Sequence, residues 1–226
     1  VETDKRRIMH DAVQYLADCG HENIVYFSGL DIRSTSDERC MGFQKAYRER
    51  FHKEGIILEN APPYTTDMES GQNIAKHFLQ TCIRASAVIT TNDLMAIGAI
   101  HTFLKAGMRV PEDISVMGID NIDIARYSTP ALTTVGFDKK AYGRKVFCLL
   151  KNMIEGADEL SQSETFDAEI VERESVWKFK KYSGRKINEK SNFMVFLIGY
   201  ALYVVCGCFG CGSRNNSCCA GVCEPD

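Results

Sequence analysis

A chain of 226 residues has room for one large domain or two small ones, with a substantial core. Apolar residues make up 45% and charged residues 25%, as in an ordinary soluble globular protein. The net charge of -3 excludes a global electrostatic attraction to DNA or to an acidic membrane.

The opening V-E-T-D-K-R-R-I-M-H lacks the apolar core of a signal peptide. Residues 6–19 read as a helix with Ile8, Ala12, Val13 and Leu16 on one face, ended by Gly20-His21. A strand follows over 23–28, a polar loop over 29–37, and a helix opened by Ser36-Asp37-Glu38 that turns Cys40, Phe43, Tyr47 and Phe51 inward. A short strand at 56–58 and a loop at 62–67 lead to a helix over 69–81 carrying Ile74, Phe78 and Leu79. Residues 88–121 then read as a complete strand–helix–strand unit. In that unit Asn92-Asp93 supplies helix N-cap chemistry and Gly107 closes the helix. Its second strand, 114–119, is apolar without alternation, as a parallel strand covered on both faces should be. A strand at 133–137 and a helix at 139–155, bearing Tyr142, Val146, Leu149, Leu150 and Ile154, follow. Residues 166–176 alternate like an edge strand or a hairpin arm. Strands alternating with helices predict an α/β fold built on a mainly parallel sheet flanked by helices.

In such a sheet ligands bind beyond the carboxyl ends of the strands, and polar residues gather there. Arg33, Thr35 and Arg39 follow the strand ending at Ser28; Asn92-Asp93, Asp120-Asn121 and Asp138 follow later ones. Arginine forks with Asp or Asn at one edge suit a small polyhydroxylated or anionic ligand. Each residue also has a plain structural reading: Asn92 or Asp93 as a helix cap, Asp120 as the cap of a turn before Ala125-Arg126-Tyr127, Arg39 as a surface helix arginine, and Arg33 and Thr35 as solvated loop residues. No catalytic residue is expected. The chain contains no G-x-S-x-G elbow, no Walker-type loop and no G-x-G-x-x-G after a strand. His10, His21, His52, His77 and His101 show no metal-ligand spacing, so neither a metal nor a cofactor is expected. Of ten cysteines, Cys19, Cys40, Cys82 and Cys148 are scattered and read as reduced, buried thiols of a cytosolic protein; the other six fall in the last 21 residues.

Several segments together carry a resemblance: G-H-E-N-I-V-Y-F-S-G (20–29), S-D-E-R-C-M-G-F (36–43), T-N-D-L-M-A-I-G-A-I (91–100), G-M-R-V-P-E-D-I-S-V-M-G-I-D-N (107–121), P-A-L-T-T-V (130–135) and V-E-R-E-S (171–175). In this order they resemble the effector-binding domain of the lactose/galactose-repressor family of bacterial transcription regulators, across residues 1–176. The resemblance implies a periplasmic-binding-protein-like fold of type I, with the C-terminal subdomain complete and the N-terminal subdomain partial. It further implies a cytoplasmic homodimer that senses a sugar, nucleoside or related metabolite, and that reads DNA through a helix-turn-helix absent from these residues. Arg33, Thr35, Arg39, Asn92 and Asp120 match ligand-contact positions. Asp4, Tyr64, Thr66 and Phe137 match weaker ones: Thr66 stands where an aromatic stacks in many members, with Tyr64 close by, and Phe137 stands where Gln is common. Ile97 and Tyr127 match dimer-interface positions. Two other readings fit the same residues: a periplasmic-type solute-binding protein, or a fragment without function. Because the helices at 6–19 and 138–155 would pack on a sheet outside this sequence, Ile8, Leu16, Val146 and Leu150 are expected to be exposed.

The tail from Trp177 belongs to no part of that pattern. A basic stretch (Lys178, Lys180, Lys181, Arg185, Lys186, Lys190) precedes residues 193–211, which carry no charge and are just long enough to span a bilayer. The tail reads as foreign to the fold, as a membrane contact, or as a thiolate-rich site without zinc-ribbon spacing.

Overall fold

In the computed structural model, which describes residues 2–31, 37–155 and 165–179, the apolar runs form one six-stranded sheet. In chain order the elements are β1 (Glu2–Thr3), α1 (Lys5–Asp18), β2 (Ile24–Ser28), α2 (Glu38–Phe51), β3 (Ile56–Glu59), α3 (Met68–Gln80), β4 (Ala87–Thr90) and α4 (Asp93–Lys105). They continue with β5 (Ser115–Ile119), a 3-10 turn (Asp123–Arg126), β6 (Thr133–Gly136), α5 (Lys139–Ile154), β7 (Thr165–Phe166) and β8 (Glu169–Val171). The sheet order is β3-β2-β4-β5-β6-β8; β8 alone runs antiparallel, against β6. β1 and β7 pair in a separate parallel ladder.

Every residue of β2, β4, β5 and β6 is buried, because helices cover both faces of the sheet. Ile24 and Tyr26 meet α1 and α2 together with Ile89, Met117, Ile119 and Val135. Val25 and Phe27 meet α3 and α4 together with Val88, Val116 and Leu132. Helix starts follow cap chemistry: the side chains of Asp4, Asp37, Asp67, Asn92 and Asp138 each accept a hydrogen bond from an amide of the first turn. α3 and α4 approach backbone to backbone, for a Cβ on Gly71 would strike the Met95 carbonyl and one on Gly98 the Met68 carbonyl.

Ile8 and Leu16 do not behave as expected. They are 7% and 0% exposed, because α1 lies beside α2 on this chain's own sheet. Gly42 permits the close packing, since a Cβ there would sit 2.8 Å from the Arg6 Cα. α5 behaves as expected in part: none of its residues is buried, Leu150 is exposed and Val146 is partly covered. Phe147, Met153 and Ile154 are exposed beside Leu150.

Within residues 166–176 the expected edge strand is short, β8 at the sheet's edge against β6, and the residues after it are not a strand. After β8 the backbone crosses the amino ends of the strands as a strap. Ser175 exchanges hydrogen bonds with Val116 and accepts one from Thr133 N, while Trp177 N donates to Ser115 Oγ. Buried His21 closes the strap: Nε2 donates to the Trp177 carbonyl, so Nδ1 accepts from Ser86 Oγ. Burial pushes this imidazole below its usual value and keeps it neutral. Cys19 and Cys40 are buried as expected; Cys82 and Cys148 are exposed, and all four are free.

Candidate functional site

The chain steps outward from β2 to β3 and then returns to β4 on the other side of β2, which places a topological switch point at the carboxyl ends of β2 and β4. There the Thr91 hydroxyl is a hub, hydrogen-bonded to Tyr26 OH and accepting from Gly29 N, both at 3.0 Å. α2 begins beside this crevice, and the first turn of the helix directs Arg39 towards Asp120 beyond β5. Arg39 Nη2 lies 3.9 Å from Asp120 Oδ1. Arg39 Nε is buried and has no hydrogen-bond partner among the described residues. Burial raises the Asp120 carboxyl above its ordinary value, and Arg39 and Lys139 partly offset the rise. The pair therefore presents an N–H donor and a partly desolvated acceptor side by side.

The backbone around Asp120 is held in an unusual state. Asp120 and Asn121 have φ of 101° and 45°, in the left-handed region that non-glycine residues rarely enter. Such strain persists only where the surroundings over-determine it. Asp120 N donates to the Val135 carbonyl at 2.8 Å, and Lys139 Nζ donates to the Asn121 carbonyl at 2.9 Å. Arg173 donates to Asn121 Oδ1 at 2.7 Å and to the Leu132 carbonyl at 2.6 Å. Beneath the corner sits Asp93, fully buried, accepting from Thr134 Oγ1 at 2.5 Å and from Ile122 N at 2.8 Å. Burial raises the Asp93 carboxyl to about 6. Asp120 does not cap the 3-10 turn: that turn has no side-chain cap, and Asp93 holds the amide of Ile122 at its start instead.

Arg39 and Asp120 thus come together, and Phe137 lies beyond β6 on the same side of the sheet. Val135 packs with the α1/α2 layer, so Phe137, two residues on, projects to that layer's side. The Phe137 ring lies 5.2 Å from that of Tyr142. Asn92 is engaged internally: its Oδ1 caps α4 through Met95 N, and its Nδ2 donates to the Thr66 carbonyl at 2.8 Å. That bond draws the 62–67 loop over the crevice, where a Cβ on Gly29 would lie 2.5 Å from the Thr65 carbonyl oxygen. Tyr64 and Thr66 are half-buried in this loop. Asp4 caps α1 through Arg7 N at 3.0 Å, and Asp138 caps α5. Ile97 is half-buried on α4, packed against the core that α4 shares with α3, and Tyr127 is 77% exposed. Arg33 and Thr35 lie outside the described residues, as do residues 193–211. Sequence reasoning did not find the supporting roles of Asp93 and Arg173. Asp93 was read as a helix cap or a strand-end polar residue, not as a support for the corner, and nothing near Arg173 in sequence signals Asn121. Among the described residues no cluster of His, Cys, Asp and Glu could hold a metal ion, and no helix is long and apolar enough to cross a membrane.

The profile of the periplasmic binding protein-like domain matches residues 13–176. The PurR helix-turn-helix-type transcriptional repressor of Photobacterium profundum is 36% identical over 167 residues, which are 73% of this chain and 49% of that protein. The chain thus spans about half the length of the curated relative it matches. A sugar-binding regulator of the LacI family from Escherichia coli, solved with phosphate, aligns at 30% identity and a TM-score of 0.67, covering 78% of this chain and 63% of that one. A LacI-family regulator from Enterococcus faecium, solved with ribose, aligns at 26% identity and a TM-score of 0.67, covering 79% and 65%. Fold and switch-point site define a periplasmic-binding-protein-like ligand domain. The chain belongs to the lactose/galactose-repressor (LacI/GalR) family, of which it carries the effector-binding domain. The relatives are transcriptional regulators, not enzymes.

Proposed function

We propose that this domain senses a small polar metabolite (a sugar, nucleoside or related compound) and passes its occupancy to a DNA-reading helix-turn-helix in the cytoplasm. The observation that carries the reading is the Arg39–Asp120 pair at the switch point, 3.9 Å apart and set on a strained corner clamped by Asp93, Lys139 and Arg173. A ligand hydroxyl or ring nitrogen bridging the pair satisfies the unpartnered Arg39 Nε or the Asp120 carboxylate. The relatives solved with ribose and with phosphate support a small, polar ligand. Asn92, Tyr64, Thr66 and Phe137 line or frame the same crevice in this reading, in which Arg33 and Thr35 are further ligand contacts.

A second lobe completes the crevice. The β1–β7 ladder is the start of its sheet, and the exposed side of α5 packs against it. Two copies associate with Ile97 and Tyr127 in the contact, as regulators of this family form dimers. Ligand-dependent closure then alters the spacing of paired DNA readers, a coupling between two sites.

A thermal-shift screen of the full chain against sugars and nucleosides tests the reading. At a hundredfold excess over Kd a ligand adds about 2.7 kcal/mol, a rise of several degrees in Tm. The rise should vanish in Arg39→Ala and Asp120→Ala, and silence across both panels overturns the proposal.

A further inference from the structure

The strap that crosses the amino ends of the strands is fastened there, at the opposite end of the sheet from the ligand crevice. His21, just before β2, is the one buried histidine of five. Its ring joins three parts of the chain: Nδ1 lies 3.0 Å from Ser86 Oγ, before β4, and Nε2 lies 3.0 Å from the Trp177 carbonyl oxygen on the strap. The Phe179 ring stands edge-on to the imidazole at 5.1 Å, and Phe179 N donates to the Cys19 carbonyl at 2.9 Å. Gly20, with φ of 98°, makes room for that ring, since a Cβ there would lie 2.9 Å from the Phe179 Cβ. Trp177 N on Ser115 Oγ completes the closure. Outside it, the strap has only the Lys178–Glu172 ion pair, which is exposed and therefore weak. The interior hold on residues 177–179 passes through His21.

We infer that His21 is an acid-sensitive latch: its neutral imidazole fastens residues 175–179 to the sheet, and a proton taken up at Nδ1 lets them go. The Trp177 carbonyl can only accept, so Nε2 carries the proton of the neutral ring and Nδ1 its lone pair. A second proton must therefore enter at Nδ1, where the Ser86 hydroxyl donates. That hydroxyl can turn towards the Asn23 carbonyl, 3.4 Å away, and accept from Nδ1 instead. Hydrogen bonding then survives, but a positive charge is left buried without a counter-charge. Once the strap is released the same imidazolium is hydrated, so acid favours release. The direction of the His21 shift agrees: burial lowers it, and the bond to Trp177 offsets only part of the fall.

The surrounding elements supply no compensating charge. On α1, burial pushes Tyr15 and Cys19 up and keeps both neutral, while exposed Asp18 pairs with Arg50 at 3.3 Å. Glu22, next to His21 in the chain, is exposed. Arg84, on the segment that leads to Ser86, is an exposed cation, and Lys53, which reaches Asn23 Oδ1 at 3.4 Å, is another. Before β5, Arg109 and Asp113 pair with each other at 2.6 Å. On β8 and the strap, Glu172 and Lys178 do the same. His21 itself enters no ion pair among the described residues. The latch is independent of what the Arg39–Asp120 pair binds.

Amide hydrogen exchange of the full chain, resolved by nuclear magnetic resonance at pH 7.5 and pH 5.5, reads the latch directly. Each rate, divided by that of an unstructured peptide at the same pH, gives an opening constant. A released His21 titrates near the ordinary value of about 6.5, so at pH 5.5 its protonated form outweighs the neutral one about tenfold. The opening constants of the Trp177 and Phe179 amides should therefore rise several-fold, up to about tenfold, between pH 7.5 and pH 5.5. The amides of β4, in the middle of the sheet, should stay better protected at both pH values, and His21→Gln should open equally at both. Should that variant fail to fold, the wild-type ring signals decide: His21 should remain neutral at pH 5.5 while the exposed histidines titrate. Strap amides whose opening constants do not move with pH overturn the inference. So do strap amides that open only together with β4, a His21→Gln strap that still loosens in acid, and a folded-state His21 that titrates with the exposed histidines.

Discussion

The buried carboxylate of Asp93 offers the most searching test of the packing beneath the site. It is fully buried, and its hydrogen-bond donors are the Thr134 hydroxyl and the Ile122 amide. Burial lifts its carboxyl from 3.8 to about 6. Between those values the folded chain holds a proton that the unfolded chain has released, so this group makes stability fall as pH rises through the window. Two units correspond to a cost of about 3 kcal/mol, fully present above pH 6 and absent below pH 4. Asp93→Asn removes the titration. The amide keeps one acceptor for two donors, so the variant also carries a pH-independent penalty of about 1–3 kcal/mol. Urea unfolding of both proteins at pH 4.0 and pH 7.5 separates the two effects. The stability of the variant relative to wild type should improve by about 3 kcal/mol between the lower and the higher pH. A difference that stays constant across that range would show that Asp93 is ionised without cost, and that burial does not govern its titration.

Other perturbations have different signatures. Gly98→Ala drives a methyl into the Met68 carbonyl on α3, and Gly71→Ala does the same to Met95; each should cost about 1–3 kcal/mol or more in a thermal melt. Leu16→Ala should cost about 2–5 kcal/mol. Leu150→Ala, on the open side of α5, should cost less than about 0.5 kcal/mol in this chain, and equal costs would show that α5 is packed. Asp120→Gly relieves a φ of 101° and should leave stability unchanged or raise it by up to about 1 kcal/mol while abolishing ligand-induced thermal shifts. A large loss of stability in that variant would mean that the carboxylate, not the ligand, needs the corner.

Much of the fold was legible because local signals agreed with the global one. The apolar runs at 24–28, 87–90 and 115–119 have no alternation, which already requires cover on both faces, and all three are fully buried. Caps at Asp37 and Asn92 were readable from residue type, whereas Asp138, read as a strand-end residue, caps α5. Which partner a helix face meets is a tertiary choice, however, and sequence does not encode it locally. α1 was expected to lose its partner and instead shares a layer with α2, where Ile8 and Leu16 are buried. The site was legible as a gathering of polar residues at strand ends, with Arg39 and Asp120 brought together. Its support was not: Asp93 meets Thr134 across 41 positions and Arg173 meets Asn121 across 52, distances over which no periodicity speaks. The alternation at 166–176 marked the edge strand over Glu169–Val171, but beyond it Ser175 alternates for the sake of the strap, not of a strand.

The small β1–β7 ladder has a mechanical consequence. Three short crossings bound the six-stranded body: Thr3 to Lys5 from β1, Gly136 to Lys139 into α5, and Phe166 to Glu169 from β7. At two of these crossings an aspartate, Asp4 or Asp138, pins the first turn of the helix that follows, so the helices move as stiff rods from their first residue. Deformation is left to a handful of torsions at the crossings themselves. Short links without helix or ladder hydrogen bonds are where the backbone bends most readily. A ligand at the proposed site that pulled on Asp120 would load these links together with the strained corner that carries it.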